Sequence, residues 1–96
     1  MEILLSNAAK RDLLELYRYL AARNAVAAEA VVARIDERFN QLVRFPFIGR
    51  SRESLGPGLR SILAGNHLIF YLVEGQRITV IRVLDARMDI DEELRR

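Results

Sequence analysis

The stretch HLIFYLVEGQRITVIRVL at residues 67–84 decides the fold, because it reads as two long strands joined by a tight turn. Apolar and β-branched residues dominate both halves, and the intervening Glu74-Gly75 pair is a hairpin signal. In residues 67–73, both alternating sets of side chains are mainly apolar. A strand that is apolar on both faces is central in its sheet or is covered by another chain. The stretch therefore predicts the centre of an antiparallel sheet.

The segments around this hairpin predict further strands and a loop. Leu59–Ala64 is β-like, and residues 2–5 form a short apolar run at the start of the chain. Residues 46–58 contain two prolines and three glycines, which is typical of a loop. The charged segment after Met88 is expected to be short and frayed or weakly helical.

Two amphipathic helices are predicted between the first strand and the loop. Apolar residues recur at steps of three and four over residues 9–20 and again over residues 25–45. Ser6 or Asn7 can cap the first helix, and Asn24 can cap the second. The short break between them favours an antiparallel hairpin. The predicted fold is α+β with the element order β-α-α-β-β-β, the hairpin packing on a small, mainly antiparallel sheet.

Length and composition restrict the class of protein. The chain has 96 residues, so we expect a single domain over residues 1–96. It contains no cysteine, which excludes a disulfide framework, a thiolate metal site and a cysteine nucleophile. Its longest apolar run is far below the roughly 18 residues of a membrane span. With no basic-then-apolar leader, a cytoplasmic protein without membrane association is expected.

Positive charge is concentrated in the second half of the chain. Lys10 is the only lysine among fifteen basic residues, and the others are arginines. Residues 44–88 carry seven arginines against three acidic side chains, so their net charge is +4. Such a region can attract nucleic acid or an acidic protein partner. A composition that simply favours arginine over lysine explains the same numbers.

Few residues have the pattern of a catalytic or metal site. His67 is the only histidine, and no serine, cysteine or aspartate pattern beside it marks a triad. No three or four ligands converge in the sequence, so neither a metal nor a cofactor is expected. Tyr71 is interpreted as a core residue with a bonded hydroxyl. Arg82, inside an apolar run, is expected to lie at an edge, to pair with a carboxylate such as Asp85 or Asp89, or to be functional.

Four motifs in order resemble a known family. They are FPFIGR at residues 45–50, GLRS at 58–61, NHLIFY at 66–71 and IRVLDARMD at 81–89. Together with the early strand and the alanine-rich helix pair, they resemble the ParE branch of the RelE/ParE toxin superfamily of bacterial type II toxin–antitoxin systems. The resemblance covers roughly residues 2–91.

The resemblance implies two protein partners and no catalysis. An antitoxin would wrap the toxin with its C-terminal segment, and the toxin would inhibit DNA gyrase by protein–protein contact, without sequence-specific nucleic-acid binding of its own. The candidate gyrase contacts are Arg50, Arg52, Arg60, Arg82, Arg87 and Met88. The candidate antitoxin contacts are Val32, Phe39, Arg60, Tyr71 and Arg82.

Two alternatives stay open at the level of sequence. The sister RelE branch cuts mRNA on the ribosome with a basic cluster, often of lysines, and a late tyrosine or histidine. This chain has neither tyrosine nor histidine after Tyr71, although a carboxylate such as Asp85 or Glu53 could serve as acid or base. The first alternative is therefore a ribosome-dependent mRNA endonuclease. The second is a non-toxic module that only binds an antitoxin.

Overall fold

The computed structural model describes residues 1–95, which form a two-helix hairpin on one face of a five-stranded sheet. The elements in chain order are β1 (Glu2–Leu5), α1 (Asn7–Ala21), α2 (Ala25–Arg44), β2 (Arg50–Ser51), β3 (Arg60–Ala64), β4 (His67–Glu74), β5 (Arg77–Asp85) and α3 (Ile90–Leu94).

The sheet confirms the predicted α+β class. Its strand order is β1-β5-β4-β3-β2, with β1 parallel to β5 and every other neighbouring pair antiparallel. β4 is the central strand, as its two apolar faces predicted. Gly75 has a φ of 60° in the turn that joins β4 to β5, a conformation that glycine adopts without steric cost.

Two boundaries differ from the sequence prediction. Residues 46–58 were predicted to be loop throughout, yet Arg50–Ser51 form strand β2 and pair with Ser61 and Arg60 of β3. A two-residue strand is too short to show any periodicity, so only its long-range partner defines it. The second helix ends at Arg44, because the residue before Pro46 disfavours the α region.

Side-chain oxygens begin both long helices. The Ser6 hydroxyl accepts from the Ala9 N–H at 3.0 Å and donates to the Ile81 carbonyl of β5 at 2.8 Å. The Asn24 side chain accepts from the Ala27 N–H at 3.1 Å. Ser6 therefore caps α1 and also ties it to the sheet.

The two faces of the sheet carry separate apolar clusters. The face toward the helices buries residues from every long element: Ala9, Ile35, Leu42, Ala64, Ile69, Tyr71, Ile78, Val80 and Val83. The opposite face buries Leu59, Leu68, Phe70 and Leu84, with Leu55, Leu72, Ile81, Ile90 and Leu94 packed around them. The second face of β4 is thus covered in part by α3 and by the loop before β3.

Candidate functional site

Strand β5 has an open edge next to α1. β1 pairs with Arg77 to Val80 only, so in the described chain residues 81–85 have no neighbouring strand on that side. A β-bulge lies here, since Phe70 pairs with Arg82 while Tyr71 pairs with Val80. An extra residue of this kind changes the direction of the strand and of the side chains that follow.

Arg82 is held at this edge by Asp12 of α1. Its Nε and Nη2 donate to the two Asp12 carboxylate oxygens at 2.8 and 2.9 Å, and its Nη1 donates to the Glu93 carbonyl at 3.0 Å. Asp12 also accepts from the Val83 N–H at 3.0 Å. The predicted pairing with Asp85 or Asp89 is therefore wrong, because α1 brings a carboxylate 70 positions away to the strand.

The ion pair with Asp12 gives Arg82 a structural role. The side chains of Arg82 and Asp12 are only 16% and 12% exposed. The hydrogen bonds from Arg82 to Asp12 raise the pKa of the guanidinium, against an opposing effect of desolvation. No local sequence pattern marks Asp12 as this partner, because it lies beyond the first turn of α1 and 70 positions from Arg82.

A groove beside the open edge contains the only histidine. It runs between α1 and the segment after β5, and its walls include Leu16, Tyr19, His67 and Arg82. Burial lowers the pKa of His67 below its ordinary value of 6.5, and the nearby Asp85 carboxylate opposes that effect only in part. The groove is partly open to solvent and combines apolar, acidic and basic groups.

Arg87 and Met88 stand at the mouth of this groove. The Arg87 guanidinium donates to both Asp85 oxygens at 3.0 and 2.7 Å, while its side chain remains 82% exposed. These bonds hold the pKa of Asp85 well below its usual range. Met88 is also exposed. Both residues lie on the surface, where a partner can reach them.

Tyr71 is a core residue and has no exposed surface. Its hydroxyl oxygen accepts from the Gly49 N–H at 2.9 Å. Burial raises the pKa of this hydroxyl, while the Gly49 hydrogen bond and the Arg60 charge act in the opposite direction. The predicted bonded hydroxyl is confirmed. The prediction that Tyr71 contacts the antitoxin is wrong for this structure, because a partner cannot touch a ring that is fully enclosed.

Arg60 lies beside Tyr71 but reaches the surface. Its Nη1 donates to the carbonyls of Gly49 at 2.8 Å and Phe47 at 3.3 Å, and the guanidinium carbon is 5.1 Å from the centre of the Phe47 ring. Arg60 thus fastens the loop after α2 to β3.

Arg50 and Arg52 lie on the opposite face of the same sheet edge. Arg50 is exposed on β2, and the Arg52 N–H donates to the Leu59 carbonyl at 2.7 Å, so the pairing with β3 continues past β2. The Arg52 Nε donates to the Ser61 hydroxyl at 2.8 Å above the Phe70 ring.

The remaining antitoxin candidates lie on α2. Val32 is exposed, whereas Phe39 packs against the core and is only partly accessible. The predicted contact residues are therefore not one site: they are divided among the β2 edge, the end of β5, helix α2 and the interior. Within residues 1–95, no helix has the length and apolar character needed to cross a bilayer. In the same range, no three metal-ligating side chains are grouped closely enough to hold an ion.

These features define a small α+β protein with a two-helix hairpin on one sheet face and arginines displayed at two sheet edges. A family profile described as the ParE toxin of the type II toxin–antitoxin system parDE matches residues 3–90. The chain belongs to this family of ParE toxins.

Two relatives agree with that assignment, and a solved structure has the same fold. Toxin ParE1 of Mycobacterium tuberculosis is 38% identical over 93 residues, which cover 95% of each chain. Toxin ParE3 of Caulobacter vibrioides is 34% identical over 84 residues, covering 86% of this chain and 84% of the relative. The chromosomal ParDE toxin–antitoxin system from P. aeruginosa contains a similar chain, with a TM-score of 0.75, 23% identity and coverage of 88% of this chain and 95% of that chain.

A second solved structure has the same fold at lower similarity. The YoeB/ParE toxin from Agrobacterium tumefaciens superposes with a TM-score of 0.63 at 20% identity, covering 88% of this chain and 98% of that chain. By its family profile and its relatives, the chain is a ParE-type toxin of a type II toxin–antitoxin system.

Proposed function

We propose that this ParE-type toxin inhibits DNA gyrase by direct contact in the cytoplasm and is neutralised by a cognate antitoxin. Family membership over residues 3–90 is the observation that carries the proposal. Gyrase inhibition is the activity that the family resemblance implies. The mode of action is contact rather than catalysis.

The placement of the titratable groups supports contact over RNA cleavage. Tyr71 is enclosed and uses its hydroxyl to hold Gly49. The Asp85 carboxylate is engaged by Arg87. Arg82, which could otherwise neutralise a phosphate, has its guanidinium occupied by Asp12 and the Glu93 carbonyl. Tyr71, Asp85 and Arg82 are thus engaged within the fold, and among the groups discussed only His67 lines the groove without a hydrogen bond of its ring.

For the gyrase contact we propose the exposed end of β5. Arg87 and Met88 project there, and Tyr19 of α1 is 57% exposed beside the same groove. Arginine, methionine and aromatic residues are enriched in protein interfaces. Arg82 stabilises this surface, because its hydrogen bonds to Asp12 and to the Glu93 carbonyl connect α1 with the segment after β5.

For the antitoxin we propose the groove along the open edge of β5, together with the exposed Val32 on α2. An extended segment can add to an unpaired strand edge through main-chain hydrogen bonds. Residues 81–85 have no strand beside them, and because Ser6 and Asp12 already bond the Ile81 carbonyl and the Val83 N–H, the antitoxin segment would pair only with the main-chain groups that α1 leaves open. Because the groove mouth includes Arg87 and Met88, an antitoxin seated there would compete with gyrase for them.

A plasmid-cleavage assay with purified toxin, gyrase and ATP tests the activity. Linear DNA should accumulate with the toxin and disappear when antitoxin is added. The double variant Arg87→Gln/Met88→Ala should lose most of this effect, whereas Arg77→Gln, which removes an exposed arginine at the start of β5, should keep it. An absence of linear DNA together with mRNA cuts on translating ribosomes would show that the toxin is instead an endonuclease.

A further inference from the structure

The surface around β2 combines positive charge with exposed aromatic rings. Residues 44–64 contain four arginines and one acidic residue, Glu53, so their net charge is +3. Two phenylalanine side chains in this range, Phe45 and Phe47, are 55% and 62% exposed. We call this surface the basic edge, which consists of Arg44, Phe45, Phe47, Arg50, Arg52 and Arg60.

No carboxylate of residues 1–95 forms a salt bridge with an arginine of the basic edge. The three salt bridges of the described chain engage Arg77, Arg82 and Arg87. The side chains of Arg44 and Arg50 form no hydrogen bond or ion pair there. Arg52 and Arg60 bond only to neutral oxygens, of Ser61, Gly49 and Phe47, so neither guanidinium is paired with a carboxylate.

The neutral hydrogen bonds also fix where two of the charges point. The Arg52 Nε is held by Ser61 at 2.8 Å, and one Arg60 nitrogen is held by Gly49 at 2.8 Å. Each guanidinium keeps further N–H groups for an anion. Because Arg52 lies on one face of the sheet and Arg60 on the other, the fixed charges straddle the edge formed by β2.

We propose that the basic edge binds single-stranded nucleic acid without sequence preference. Arginine forks match the geometry of phosphate oxygens, and exposed aromatic faces stack on bases of any identity. An acidic protein segment is the competing occupant. It fits less well, because β2 offers two residues for strand addition and the preceding loop contains Pro46, which has no N–H to donate.

The proposal goes beyond gyrase inhibition and is tested without gyrase. Fluorescence anisotropy would follow labelled oligothymidylate and oligouridylate of about 20 nucleotides, a duplex, and a polyglutamate peptide. Both single strands should bind. Comparison of the affinities for oligothymidylate and oligouridylate shows whether DNA or RNA is the preferred ligand. If about three phosphates are neutralised, the logarithm of affinity should fall with the logarithm of salt at a slope of about −2.

Three variants locate the binding. Arg50→Gln should lower the affinity for both single strands about three- to tenfold and reduce the magnitude of the salt slope by about 0.7. Phe47→Leu should lower the affinity for both single strands at least about fivefold, because the stacking of a base on the ring is lost. Arg77→Gln makes the same change in net charge on β5, away from the basic edge, and should alter affinity less than twofold. Circular dichroism would verify that each variant is folded.

Four results would overturn the proposal: no binding at low salt, an equal loss from Arg77→Gln, preference for the duplex, or binding of polyglutamate in place of the oligonucleotides. The last would assign the basic edge to an acidic protein. Since gyrase is absent from every arm, failure here leaves the plasmid-cleavage result unaffected. Success here would likewise leave gyrase inhibition to its own assay.

Discussion

Among single residues, Arg82 joins β5 both to α1, through Asp12, and to the Glu93 carbonyl of α3. Its pair with Asp12 is bidentate and largely shielded from water. Arg82→Ala would leave the Asp12 carboxylate without its main partner and release the Glu93 carbonyl. We expect the free energy of unfolding to fall by about 2–4 kcal/mol, measured by urea denaturation.

The pair between Glu2 and Arg77 is the matched control for this prediction. Their atoms are 4.0 Å apart, and both side chains are more than half exposed. Glu2→Gln should therefore change stability by less than about 0.5 kcal/mol. If Arg82→Ala were equally mild but abolished gyrase inhibition, Arg82 would be a contact residue and its structural role would be secondary.

Gly49 is the second residue at which a small change should have a large effect. A Cβ added there would lie 2.5 Å from the Tyr71 hydroxyl and 2.8 Å from the Ser61 carbonyl oxygen. Gly49→Ala should destabilise the fold by about 1–3 kcal/mol in thermal or urea denaturation. Adding Tyr71→Phe should not restore full stability, since the clash with the Ser61 main chain remains. Full recovery in the double variant would contradict this account.

At the level of elements, the two helix caps differ in what they connect. Ser6 caps α1 and donates to β5, whereas Asn24 makes only an exposed cap on α2. Ser6→Ala should therefore cost about 1–2 kcal/mol and Asn24→Ala about 0.5–1 kcal/mol. Urea denaturation of the two variants side by side measures the difference. Equal losses would mean that the Ser6 bond to Ile81 adds nothing to stability.

The elements also show how far local sequence patterns determine the structure. The helices, the β4–β5 hairpin and the central place of β4 follow from periodicity and turn residues that lie next to each other in the chain. Strand β2 and the pairing of Arg82 with Asp12 do not, because each depends on a partner that only the folded chain brings near. The division of the candidate contacts among separate surfaces has the same origin.

For the whole molecule, stability should depend on pH through His67. Burial lowers the pKa of His67 in the folded state below its ordinary value of 6.5. As pH falls through 6.5, His67 binds a proton in the unfolded chain but still stays neutral in the folded chain. Proton binding therefore favours the unfolded state, and the free energy of unfolding decreases. Stability contributed by neutral His67 is thus complete above that pH and declines below it. Asp85 does not obscure the effect, because its contribution is lost only when pH falls below the ordinary carboxyl range.

Urea midpoints at about pH 7.5 and pH 5.5 test this dependence, since histidine is the side chain that ordinarily titrates between them. The natural chain should have the lower midpoint at the acidic pH, and His67→Gln should remove most of the difference. The matched variant Asn66→Gln changes an exposed neighbour that has no titratable group, so the difference between the two midpoints should remain. An equal decline in His67→Gln would assign the pH dependence to other groups. A gain in stability on acidification would mean that the Asp85 charge outweighs burial at His67, contrary to the order of effects derived from the structure.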